Sequence, residues 1–88
     1  MKVDLKKFGT ILISRPDGRE AALGMKAYSE PISSGETIEL DFSGIDVLTP
    51  SWLDEFIQTL KHSFPSNQIK YRPSQNPSVI ESIKVLEE

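Results

Sequence analysis

Cysteine does not occur in the 88-residue chain, and histidine occurs once, at position 62. Disulfides and thiolate metal sites are thereby excluded as supports for the fold. A metal site at His62 finds no ligand spacing, because its neighbour one helical turn back is Gln58. A Ser-His nucleophile fares no better, since His62 lies about three helical turns beyond Ser51, roughly 16 Å by helix rise. No apolar run approaches the ~20 residues that span a bilayer, and Met1-Lys2-Val3-Asp4 lacks the apolar core of a signal peptide. A soluble protein of the reducing cytoplasm is expected. Net charge is −3 with both signs interspersed, so the basic stripe that nucleic acid demands is missing. Glycines 9, 18, 24, 35 and 44 never cluster into a phosphate-cradling loop. Composition and motifs predict no cofactor, no metal and no catalytic constellation.

What remains is enough for one core. Hydrophobic residues make up 38% of the chain, and no linker or low-complexity tract divides it. A single domain over residues 1–88 is expected. A domain this small buries only a little over ~60% of its unfolded-chain surface, so packing has little to spare.

Val3 and Leu5 alternate with Lys2, Asp4 and Lys6, as in a half-buried edge strand. Phe8-Gly9 offers a turn into the apolar run Thr10–Ser14, and the two runs together predict an antiparallel hairpin. Arg19–Glu30 then reads as a helix begun around Pro16–Gly18 and stopped by Pro31, with Ala21, Met25, Tyr28 and Ile32 near its apolar stripe. Gly24 in its middle costs about 1 kcal/mol against alanine unless it permits close packing on the sheet. After the loop Ser33-Ser34-Gly35, Ile38, Leu40 and Phe42 alternate with polar residues in the clearest strand of the chain.

The next helix is doubly marked at its start. Thr49 is placed to cap it and Pro50 suits its first position, while Trp52, Leu53, Phe56, Ile57 and Leu60 recur at helical spacing. Phe64-Pro65 ends it. Gln68–Arg72 is a last short strand, and Asn76-Pro77-Ser78 repeats the capping device before a closing helix striped by Val79, Ile80, Ile83 and Leu86. The order β-β-α-β-α-β-α predicts an α/β fold with three helices on a small four-stranded mixed sheet. Its first strand is antiparallel and the others are parallel, joined by right-handed crossovers.

Two features at the strand-to-helix junction carry more than one reading. Asp54 and Glu55 diverge by roughly 100° around a helix, which is poor geometry for a catalytic carboxylate pair. They suit helix-dipole complementation with a salt bridge, or recognition of a partner. Ser51 lies in the first helical turn, where free N–H groups favour an anion, and serves either as a local capping hydroxyl or as an acceptor of phosphate.

The run Leu40-Asp41-Phe42-Ser43-Gly44-Ile45 leading into Thr49-Pro50-Ser51-Trp52-Leu53-Asp54-Glu55-Phe56 resembles a family of bacterial STAS-like domains of unknown function. Its members carry a DFxGV strand end, then a serine, an aromatic residue, a small or aliphatic residue and two acidic residues. The upstream Ser14-Arg15 pair after Phe8-Gly9 also fits. The resemblance implies a non-enzymatic regulatory module related to the anti-sigma factor antagonists. In those proteins a serine at the start of the corresponding helix is phosphorylated by a histidine-kinase-like ATPase. That serine aligns with Pro50, which cannot accept phosphate, and leaves Ser51 and Thr49 as candidate phosphosites. The partner implied is a protein, either such an ATPase or an anti-sigma-type regulator, with neither nucleic acid nor membrane involved. Ser43, Gly44, Asp46, Thr49, Ser51, Asp54 and Glu55 are the expected contact residues. The alternative is a small-anion or nucleotide-binding domain that uses the helix N-termini at Pro50-Ser51 and Pro77-Ser78.

Overall fold

Parallel pairing governs the chain from its first strand. A computed structural model describes residues 1–28, 33 and 35–88, with strand β1 at Lys2–Asp4, β2 at Ile11–Leu12, β3 at Ile38–Asp41, β4 at Val47–Leu48 and β5 at Ile69–Tyr71. The helices are α1 at Arg15–Tyr28, α2 at Pro50–Ser63 and α3 at Pro77–Glu87, and a 3₁₀ turn covers Leu5–Phe8. The α/β class and the three helices are as expected; the predicted end of α1 at Glu30-Pro31, and Ile32, lie outside the described residues.

The predicted hairpin does not form. Instead β1 pairs in parallel with β3, and β2 pairs in parallel with β4. Sequence adjacency suggested a turn at Phe8-Gly9, but the 3₁₀ turn and Gly9, whose φ is +123°, carry the chain onward rather than back. The single four-stranded mixed sheet is accordingly replaced by a three-stranded sheet, β1-β3-β5, and a two-stranded ribbon, β2-β4, all parallel. The same two chain segments supply both: they part after the pair Asp4 and Asp41 and meet again at Ile11 and Val47.

The β3 strand is central and its side chains show it. Ile38 and Leu40 are fully buried, as is Leu53 of α2, and Val3, Leu12, Met25, Phe42, Leu48 and Val79 complete the surrounding core. Trp52 stacks on Phe56 with ring centroids 4.9 Å apart, and Phe8 tilts against both. Offset aromatic packing of this kind adds about 0.5–1.5 kcal/mol per pair to the area term.

Helices α1 and α2 lie unusually close at one point. A Cβ built on Gly18 would stand 2.4 Å from the carbonyl oxygen of Trp52, so only glycine fits there. The close-packing glycine of α1 is therefore Gly18, not Gly24, which meets nothing within 4 Å among the described residues.

Helix α3 closes the other side by an unusual route. In the β2-β4 ladder the Leu48 N–H and C=O face away from β2. The N–H donates to Ser78 Oγ at 3.1 Å, and the carbonyl accepts from Ser82 Oγ at 3.0 Å, a donor shared with the Ser78 carbonyl at 2.7 Å. Asn76 Nδ2 takes the Ile45 and Asp46 carbonyls at 2.7 and 3.2 Å. The Asn76 cap and two serines of α3 thus stand where a neighbouring strand would, and the backbone groups of Leu48 stay paired.

Candidate functional site

The N-terminus of α2 is fixed from two sides. Thr49 adopts an extended backbone, and its Oγ1 accepts from the Trp52 N–H at 3.2 Å. Its own proton goes to the Ile13 carbonyl. The capping role expected of Thr49 is realised, and the second bond ties α2 to the end of β2. Because the hydroxyl is used as both donor and acceptor, Thr49 offers little to an outside group in this state. Ser51 is exposed on the next-but-one residue, with Pro50 at the first helical position.

Beside it, α1 begins with Ser14 holding the Asp17 N–H at 3.3 Å and Arg15 reaching across to α2. Arg15 Nη1 lies 2.8 Å from Asp54 Oδ2 and 3.4 Å from Glu55 Oε2. Gln58 Nε2 donates to the other Asp54 oxygen at 3.0 Å. The Arg15 hydrogen bond, aided by Gln58, holds the Asp54 carboxyl below its ordinary range, and the same bond raises Arg15. Asp54 and Glu55 converge on one guanidinium although they diverge around their own helix. They lie in the second turn of α2, past the reach of the dipole, so their partner is Arg15 rather than the positive helix end.

Ser43 and Gly44 belong to a different neighbourhood. The Ser43 N–H donates to Asp41 Oδ1 at 2.8 Å, Ile45 N–H to the Phe42 carbonyl at 3.2 Å, and Gly44 takes the positive φ of +81° that this turn needs. Lys6 lies over Gly44, where a Cβ would come within 2.8 Å of its Cδ. Together with Asp4, Lys6 and Lys7, Ser43 and Gly44 line a groove of about 540 Å³. Asp41 itself is nearly buried and 3.1 Å from Lys2 Nζ. Hydrogen bonds from the Ser43 backbone and hydroxyl, then from Lys2, bring its carboxyl down to about 2. Asp46 is exposed, and its N–H donates to the Thr10 carbonyl at 2.8 Å.

The expected contact residues thus divide into Ser43 and Gly44 beside the 3₁₀ turn, Thr49, Ser51, Asp54 and Glu55 beside α1, and Asp46 by itself against Thr10. Arg15 was expected only as part of the Ser14-Arg15 pair that fits the family pattern; its role at the α1-α2 junction is what the spacing did not reveal. Another missed element is the groove of about 850 Å³ between α2, β5 and α3, lined by Asp54, Lys61, His62 and Tyr71 among others. Burial, then the negative charges of Glu87 and Asp54, raise the Tyr71 phenol. At the α3 terminus, Asn76 Oδ1 accepts from both the N–H and the hydroxyl of Ser78 at 2.9 and 2.8 Å. With Leu48 on its remaining side, Ser78 is occupied internally.

A family model described as a STAS-like domain of unknown function matches residues 26–79, from the second half of α1 into the first turn of α3. The chain belongs to that family. No curated protein and no solved structure matches it. Within the matched span of this STAS-like domain lie β3, the Ser43-Gly44 turn, the capped start of α2 and the Asp54-Glu55 pair. Arg15, which those two acids hold, lies before it. No helix among the described residues is long and apolar enough to cross a membrane.

Proposed function

We propose that this STAS-like domain, over residues 1–88, is a non-enzymatic regulatory module of the cytoplasm that binds a protein partner through the start of α2 and the turn at residues 43–46 that leads into β4. The observation that carries the reading is the Arg15-Asp54-Glu55 cluster set one turn beyond the exposed Ser51. An ion pair this open to water contributes only about 0–1 kcal/mol to folding. Its charges are therefore free to serve recognition. A partner that inserts its own cation or anion here exchanges one charge-assisted bond for another, and loses little by it.

The partner class is a histidine-kinase-like ATPase or an anti-sigma-type regulator, and Ser51 is the phosphate acceptor. Thr49 is the weaker acceptor, because its hydroxyl already caps α2 and holds Ile13. Phosphate on Ser51 adds about −1.5 to −2 charge at the positive end of α2, close to a guanidinium now shared by two carboxylates. Arg15 then has a third anion to choose. The test is incubation with such an ATPase and MgATP, followed by mass spectrometry and by capture with native protein and with Asp54→Lys/Glu55→Lys. Modification at Ser51 and loss of capture in the variant are expected. Equal capture by both proteins overturns the surface.

The second reading, a small-anion or nucleotide site at a helix N-terminus, is carried by the exposed Ser51 alone, since Ser78 is committed to Asn76 and Leu48. A ligand present at a hundred times its dissociation constant adds about 2.7 kcal/mol of stability, which a thermal-shift series with phosphate and nucleotides detects.

A further inference from the structure

Thr49 and Ser78 spend their hydroxyls on the starts of α2 and α3, whereas Ser51 is exposed. What surrounds Ser51 follows from how α1 lies on α2. The two helices run side by side in the same direction: the Ile13 carbonyl meets Thr49 Oγ1, Gly18 faces the Trp52 carbonyl, and Leu23 shares a groove with Thr59 and Ser63. Arg15 therefore leaves α1 level with the first turn of α2 and ends at the second, on Asp54 and Glu55. Ser51 precedes those two residues by three and four positions, a spacing that sets all three on one face of α2 with Cβ atoms about 5–6 Å apart.

The hold of the two carboxylates on Arg15 is incomplete. Both contacts run to a single nitrogen, Nη1, at 2.8 and 3.4 Å, and neither is the two-nitrogen fork that binds arginine best. The Arg15 side chain is 52% exposed. A phosphate on Ser51 presents three acceptor oxygens and about −1.5 to −2 charge, and two of those oxygens match the guanidinium fork. With no cation between them, the phosphate and the carboxylates three and four positions on repel. Departure of the guanidinium leaves neither acid buried and unpaired, since Asp54 keeps Gln58 as a donor and Glu55 lines the groove that Arg19 also lines.

We propose that Arg15 converts phosphorylation of Ser51 into a change of surface: its guanidinium moves from Asp54 and Glu55 to the phosphoserine and leaves both acids uncovered. The inference rests on the reading of Ser51 as phosphate acceptor and adds what the phosphate does there. In the modification Ser51 Oγ bonds to the γ-phosphorus of ATP, the bridging oxygen leaves with ADP, and the hydroxyl proton passes to solvent. Before it, this face of α2 carries one cation shared by two acids. After it, the cation belongs to the phosphate and the two acids have none, so the face selects a basic partner surface and repels an acidic one.

The intact protein made with phosphoserine at position 51 by codon reassignment tests this without any kinase. Phosphorus NMR follows the second ionisation of the phosphate, whose midpoint should lie about one pH unit lower in that protein than in the same protein carrying Arg15→Ala. Arg19→Ala, one turn further along α1, should leave the midpoint in place. Carbon NMR of the Asp54 carboxyl reads the exchange itself. Arg15 holds that carboxyl low in the unmodified protein, so Arg15→Ala should move its titration there and should no longer do so once position 51 is phosphoserine. Arg15 is exposed, so circular dichroism of its variant should match the native spectrum. A phosphate midpoint indifferent to Arg15→Ala overturns the proposal, as does an Asp54 titration that Arg15→Ala moves equally in both forms. Failure of the ATPase to modify Ser51 is a different result: it removes the acceptor reading and leaves the exchange to be judged by the two titrations.

Discussion

Two glycines of one helix have opposite worth. At Gly18 the Trp52 carbonyl stands where a methyl group would go, 2.4 Å from it, and backbone cannot yield as a flexible side chain can. Gly18→Ala gains helix propensity worth about 1 kcal/mol, but the overlap costs about 1–3 kcal/mol and forces α1 off α2. Net destabilisation is expected in urea unfolding. Gly24→Ala has the propensity gain without the overlap and should stabilise by about 0.5–1 kcal/mol in the same assay. Asp41 is the other residue whose surroundings decide its effect. Its carboxyl is lowered from 3.8 to about 2, so the folded state binds its proton less readily than the unfolded chain does. The stability it contributes is fully present above about pH 4 and is lost as pH falls through about 2. Denaturation midpoints followed down that range should drop for the native protein and flatten for Asp41→Asn.

Helix starts were the most legible elements, and strand partners the least. Thr49-Pro50 and Asn76-Pro77 announce α2 and α3 because a cap is a local device: a side-chain oxygen, a fixed φ and one or two nearby N–H groups. Thr49→Ala should cost about 1–2 kcal/mol by chemical denaturation, with Thr49→Ser recovering most of it, since serine keeps the hydroxyl that serves both Trp52 and Ile13. Strand pairing carries no such local mark. The apolar runs of β1 and β2 were visible, but their nearness in sequence suggested a hairpin, whereas their partners lie in β3 and β4. β4 has only two residues, Val47 and Leu48, too few to show an alternation, so the expected order of elements contains no strand there. Of the serines that seal it, Ser78 is legible as part of the capping device of α3 and as a candidate anion site, and Ser82 carries no mark in the sequence. Nothing in their spacing says that the carbonyl and N–H of Leu48 will need them.

At the scale of the whole molecule, the candidate site is a meeting of segments. Asp54, Glu55 and Ser51 were identifiable because they follow one strong helix start, but Arg15 is 39 positions from Asp54 and enters only through the packing of α1 on α2. Ser43 and Gly44, close to them in sequence, turn toward Lys6 instead. Because the Arg15 cluster is exposed, a double-mutant cycle over Arg15→Ala and Asp54→Ala should return a coupling of only about 0.2–1 kcal/mol, shrinking with added salt. A larger, salt-insensitive value would make the cluster a structural clamp and leave less room for recognition.

The tight crossing at Gly18 also limits how this chain can vary. Every single-base change in a glycine codon that alters the amino acid introduces a Cβ, or ends translation, so position 18 has no neighbour in sequence space that preserves the spacing of α1 and α2. Position 24, six residues along the same helix, is open to alanine by one such step. Drift along α1 should therefore be steeply uneven, with the helix pinned at its first turn and permissive past its middle.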